Sequence, residues 1–106
     1  SIRNSDYALA AAAAQTTLDE NGNCLRLSIA ICGASPAPLR LINVEQALTG
    51  SELSDNMIKA ACANIDDLID SQSDVHADAA YRGRVAKVVA ARAIGDARDR
   101  AKGILV

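Results

Sequence analysis

The sequence predicts an α+β domain: a three-stranded antiparallel sheet with helices packed on one face. Two observations predict the sheet. Asn21-Gly22 is a strong hairpin signal, because a type I′ turn needs positive φ at both central positions. Beyond it the stretch CLRLSIAIC alternates, with Leu25, Leu27, Ile29 and Ile31 on one face and Cys24, Arg26, Ser28, Ala30 and Cys32 on the other. That is the period of a half-buried strand. A third observation predicts the helices: in the second half of the chain, apolar residues recur every three to four positions.

The first element is the least obvious. Ala8 to Ala14 holds six alanines and one leucine, and alanine is the best helix former. A two-residue turn, however, joins a strand only to another strand. Residues 8–17 are therefore expected to pair antiparallel with 24–32, with Leu18 opposite Leu25, Thr16 opposite Leu27, Ala14 opposite Ile29 and Ala12 opposite Ile31. An isolated two-turn helix is marginal in water; the alternative is an amino-terminal helix ending near Gln15. As a strand, the alanines let a helix approach the sheet closely while branched neighbours fill the remaining volume.

Gly33-Ala-Ser-Pro-Ala-Pro38 reads as a turn or extended connection holding both prolines of the chain. PLRLIN follows as a short third strand, with Leu39 and Leu41 on one face. VEQAL then forms a helical turn closed by Gly50, where a C′ glycine belongs. Ser54 caps a helix through about Ile69, with Ile58, Ala61, Ile65 and Leu68 at helical spacing. SQSDVHAD is a polar loop. A long helix over about 77–102 carries Tyr81, Val85, Val88, Val89 and Ala93 on one stripe. Seven of the eleven Lys and Arg lie on it: Arg82, Arg84, Lys87, Arg92, Arg98, Arg100 and Lys102. They form its solvated or interface face.

At 106 residues the chain is read as a single domain, 1–106. Tyr7 and Tyr81 are its only aromatics, so Ala, Val, Ile and Leu must build the core. A net charge of −2 argues against nucleic acid. No apolar run approaches the roughly 20 residues of a membrane span, and the polar SIRNSDY start does not read as a signal peptide. Cys24, Cys32 and Cys62 contain no C-x-x-C pair, and read as reduced thiols of a cytoplasmic protein. On one strand face, Cys24 and Cys32 would stand about 27 Å apart, too far for a disulfide. Chemistry is sparse. His76 lies near Asp74 and Asp78 in a polar loop, where such residues ordinarily solubilise a turn. Asp66, Asp67 and Asp70 read as a solvated helix surface. No phosphate-cradling glycine motif and no metal set is present.

Three stretches, in this order, resemble one family. RNSDYALAAAA resembles the segment opening the carboxy-terminal domain of the flavoprotein subunit of molybdenum hydroxylases. GASPAPLRL with VEQALTG resembles that domain's sheet-to-helix crossing, and HADAAYRGRVAKVVAARAI resembles its final helix. The family includes the medium subunits of carbon monoxide dehydrogenase and related xanthine, nicotine and aromatic-acyl-CoA oxidoreductases. The resemblance spans about residues 3–103 and implies the same three-stranded fold.

It also implies a role. In such enzymes substrate is oxidised at a molybdenum cofactor in the large subunit, and electrons pass through two iron–sulfur clusters in the small subunit to FAD in the medium subunit. The amino-terminal FAD-binding domains hold most of the cofactor, and the last domain closes over one side of the flavin. By this resemblance Asp6 matches an acid near the isoalloxazine ring, and Leu48 an aliphatic residue that can touch it. The chain is accordingly expected to be the carboxy-terminal part of a longer FAD-binding subunit, inactive and without useful FAD affinity alone. The competing reading is a small protein-interaction domain with no flavin role.

Overall fold

The computed structural model describes residues 11–32, 38–65 and 79–104, with side chains in the last stretch described from residue 83. β1 (Ala11–Leu18) pairs antiparallel with β2 (Cys24–Cys32), which pairs antiparallel with β3 (Leu39–Arg40), giving the sheet order β1-β2-β3. Three helices follow: α1 (Ile42–Leu48), α2 (Asp55–Ala61) and α3 (Ala79–Ala101). α3 packs against β1 and β2, α1 against β2, and α2 between α1 and α3.

The alanine segment is a strand wherever it is described. Its burial alternates, with Ala12, Ala14, Thr16 and Leu18 half-buried and the residues between them exposed. Residues 8–10 lie outside the described residues. Cross-strand pairing has overridden alanine's helix preference, because β2 offers a complete ladder and a buried face to pair against.

The turn differs from expectation. Asp19 N–H donates to the Asn23 carbonyl (2.8 Å) and Gly22 N–H to the Asp19 carbonyl (3.0 Å), enclosing a three-residue loop, Glu20-Asn21-Gly22. Only Gly22 in this loop has positive φ (+85°), so the turn is not type I′. The Asp19 carboxylate fixes it by accepting the N–H groups of Asn21 (2.9 Å) and Asn23 (3.0 Å).

The extra loop residue shifts the register by one, and Leu18 stands opposite Cys24 instead of Leu25. A bulge between Thr17 and Leu18 then restores it: Thr17 faces Arg26, and the expected pairs Thr16–Leu27, Ala14–Ile29 and Ala12–Ile31 are the observed ones. The two irregularities exchange the faces of two side chains. Cys24 turns into the core at 2% exposure while Leu25 turns out at 55%. Cys24 and Cys32 therefore do not share a face. The Thr16 hydroxyl donates to the Arg26 carbonyl (2.7 Å), which leaves the Cys24 thiol to donate to Thr16 Oγ1 (3.5 Å).

This geometry gives a direct stability test. Leu25→Thr should change unfolding free energy by no more than about 0.5 kcal/mol, the usual scale at a surface. Leu27→Ala should cost about 2–5 kcal/mol as a core truncation. Urea denaturation of both variants checks it; equal losses would restore the uniform alternation.

Ile58, Cys62 and Ile65 all face the core, but α2 stops at Ala61, and residues 62–64 form a turn that interrupts the expected continuous helix before Ile65. Ser54 caps it as expected, accepting Met57 N–H at 3.2 Å. At the far end Ala63 N–H donates to the Ala60 carbonyl (3.3 Å) and Ile65 N–H to the Cys62 carbonyl (3.2 Å). These i→i+3 bonds tighten the chain into a turn. Leu68 and Ile69 lie outside the described residues.

The face of α3 also differs. Its buried residues are Gly83, Ala86, Ala90, Ile94 and Ala97. Val85, Val89 and Ala93 flank this stripe half-buried, and Val88 is 55% exposed. The Tyr81 side chain lies outside the described residues. The cause is steric. β1 presents Ala12 and Ala14 to the core, and a strand of methyl groups is best filled by a helix backbone brought close. A face of glycine and alanine permits that approach, whereas a valine face would hold the helix away.

Candidate functional site

β3 is only two residues long because the chain turns into α1 at once, and that turn creates the most constrained side-chain cluster of the sheet. Leu41 N–H donates to the Ile29 carbonyl (2.9 Å), the last backbone rung on this side. The next donor, Ile29 N–H, has lost its strand partner and is taken by Glu45 Oε2 at 3.0 Å from the first turn of α1. Arg40 closes the cluster with Nε on Oε2 and Nη2 on Oε1, both at 2.7 Å. A carboxylate thus replaces a missing rung, and a bidentate guanidinium orients it. The Arg40 hydrogen bonds hold the Glu45 carboxyl below its ordinary pKa, with help from the Ile29 N–H.

α1 ends where it was expected to. Gly50, at φ +90°, carries the chain out of the helix. Gly50 N–H donates to the Cys24 carbonyl and Cys24 N–H to the Ser51 carbonyl, both at 2.7 Å, which ties the end of α1 to the start of β2. This junction places Leu48. The side chain is 2% exposed and belongs to the core. It also borders a shallow groove of about 310 Å3 between α1 and α2, with Ala47, Ser51, Met57, Ala60 and Ala61. The groove is lined by small and apolar groups and carries no cation.

Asp6 lies outside the described residues. The strand it precedes begins with Ala11 opposite Cys32, at the end of the sheet away from Cys24 and Leu48. β1 spans about 23 Å between its ends at the usual strand rise. Where Asp6 stands relative to Leu48 falls outside the described residues. His76, Asp74 and Asp78, with Asp66, Asp67 and Asp70, also lie outside them.

A second charged cluster holds α3 to α2. Arg98 Nη1 donates to the Leu53 carbonyl (2.8 Å) and to Asp55 Oδ1 (2.7 Å), and its Nε donates to Asp99 Oδ1 (2.9 Å). Leu53 is fully buried at φ +55°, in the left-handed region that a leucine seldom adopts. Asp99 and Asp55 raise the Arg98 pKa, and Arg98 holds the Asp99 carboxyl below its usual range. So Arg98 anchors the fold, unlike Arg84, Arg92, Arg100 and Lys102, which are exposed as the helix pattern predicts.

Neither cluster was legible as a motif. Arg40 and Glu45 straddle a strand–helix boundary that no single period covers, and 45 residues separate Arg98 from Leu53. Both clusters are structural. Among the described residues no group of His, Cys, Asp and Glu is placed to hold a metal ion, and no helix is long and apolar enough to cross a membrane. All three cysteines are free thiols. Burial pushes the Cys62 thiol up to about 11, so it stays protonated and unreactive at neutral pH.

The fold has close relatives among known proteins. The family model described as the CO dehydrogenase flavoprotein C-terminal domain matches residues 1–97. The chain is 35% identical over 102 residues to the 6-hydroxypseudooxynicotine dehydrogenase complex subunit alpha of Paenarthrobacter nicotinovorans, covering 96% of this chain and 34% of that protein. It is 33% identical over 97 residues to the carbon monoxide dehydrogenase medium chain of Afipia carboxidovorans, covering 92% and 33%. The solved structure of reconstituted CO dehydrogenase from Oligotropha carboxidovorans superposes with a TM-score of 0.72 at 29% identity, over 87% of this chain and 32% of that one. The chain spans about a third of the length of the curated relatives it matches.

Proposed function

This chain belongs to the CO dehydrogenase flavoprotein C-terminal domain family, and from that premise we propose that it closes over one side of the flavin in the FAD-binding subunit of a molybdenum-containing dehydrogenase. The observation that carries the reading is the match over residues 1–97, supported by the three-stranded antiparallel sheet it implies. In the assembled enzyme the flavin, when bound, accepts electrons that reach it from iron–sulfur clusters in the small subunit, after substrate oxidation at the molybdenum cofactor of the large subunit. The enzyme works in the cytoplasm.

The lining of the groove beside Leu48 supports this reading in part. The groove bordered by Leu48 is lined by small and mostly apolar groups against which a ring edge would pack, but it offers no positive group to a pyrophosphate. The amino-terminal FAD-binding domains of the same subunit supply that group. Asp6 accepts a hydrogen bond from a flavin N–H, and Leu48, almost wholly buried, supports the ring-side surface from beneath.

Titration of the isolated chain with FAD tests the division of labour. No saturable binding is expected in the micromolar range, because immobilising a large dinucleotide needs contacts that this chain lacks. Micromolar or tighter binding would overturn it.

A further inference from the structure

Between α2 and α3 runs an open groove of about 800 Å3. Ile58 and Cys62 line it from α2, each 2% exposed, and Val88 stands in it from α3 at 55% exposure. Lys59, Arg84 and Arg92 form its rim, all exposed. Among the described residues none of these three makes an ion pair. Asp55, the acid on the lining, is already held by Arg98 at 2.7 Å. Among the described residues the surface is therefore locally positive, on a chain whose net charge is −2.

We infer that this groove docks an acidic amphipathic helix from a partner subunit. Arg84, Val88 and Arg92 are spaced i, i+4, i+8 on α3, so the two arginines stand about 12 Å apart with the valine between them. A helix lying along α3 matches this with carboxylates two turns apart and an aliphatic residue midway, while Lys59 meets it from the α2 side. This is helix-in-groove recognition with charged flanks. A free phosphate would satisfy the rim but leave Val88 uncovered. A nucleic acid would need a broader basic surface and stacking side chains, and the groove has neither.

The inference rests on the multi-subunit reading above, and the test separates the two. p-Benzoylphenylalanine is placed at Val88 of the complete FAD-binding subunit, which is produced together with its partner subunits, illuminated and mapped by mass spectrometry. The expected product is a crosslink to a partner-subunit segment with Asp or Glu at helical spacing around Leu, Ile or Val. Adding Arg84→Glu and Arg92→Glu should lower the crosslinked fraction about tenfold, with melting temperature and flavin content unchanged. Crosslinks confined to the same chain, to an acid-poor segment or to no protein would overturn the docking site. Flavin content, read in the same samples, reports on the other reading: flavin without the crosslink contradicts docking alone, and the crosslink without flavin contradicts the flavin role alone.

Discussion

Glu45→Ala should lower the unfolding free energy by about 2–3 kcal/mol, the scale of losing charge-assisted hydrogen bonds and orphaning a buried donor. The loss has a defined source. Glu45 Oε2 is the acceptor for Ile29 N–H, at the centre of the sheet and beside a side chain with no exposed surface. Glu45 is itself only 8% exposed, so the orphaned N–H is poorly placed to meet bulk water. Removing Arg40, whose side chain is half exposed, should cost less, because Glu45 would still serve Ile29. Acid titration gives a second signature. The folded state holds the Glu45 carboxyl below its ordinary pKa. Its contribution is therefore complete above the unfolded-state value and disappears as pH falls through the folded-state value. Wild type and Glu45→Ala should differ in urea midpoint at neutral pH and converge as acidification carries the pH through the lowered folded-state value. A constant difference across that range would show that Glu45 contributes through packing alone.

Ala90→Leu should cost about 1–3 kcal/mol, the usual cost of overpacking a filled interface. Ala90 has no exposed surface and lies on the α3 stripe that faces β1 and β2. A leucine there must push the helix off Ala12 and Ala14 or adopt a strained rotamer. Two residues away, Val88→Asp should stay within about 0.5 kcal/mol of wild type, since the site is open to water. Thermal melts of the two variants check the pair. A severe loss at Val88 with tolerance at Ala90 would place the valine stripe against the sheet.

These cases show what the sequence could reveal. The hairpin was legible because alternation over Cys24–Cys32 requires a pairing partner and the Gly22 turn sits where it must. The turn type was not, because Asn-Gly serves both a type I′ turn and a three-residue loop with glycine in the left-handed region. Asp19, which accepts two loop N–H groups, decides between them. The α3 helix was legible, but its face was not. Stripes one residue apart share the same period, and hydrophobicity favours the valines, while fit against an alanine strand favours Gly83, Ala86 and Ala90. Glu45 and Arg98 were invisible because their partners come from other elements of the fold. Family membership was legible from the order of three stretches. That Leu48 is buried depends on α1 docking against β2, which no local pattern shows.

Under the proposed function, this domain forms one side of a flavin site and Asp6 would meet the ring there. The most direct measurement is the flavin reduction potential, with occupancy and spectrum, in the complete subunit carrying Asp6→Ala. The expected result is a folded subunit whose flavin has a shifted potential or is held more weakly, because a carboxylate beside the ring would tune its electronics. An unchanged potential, spectrum and occupancy would contradict it.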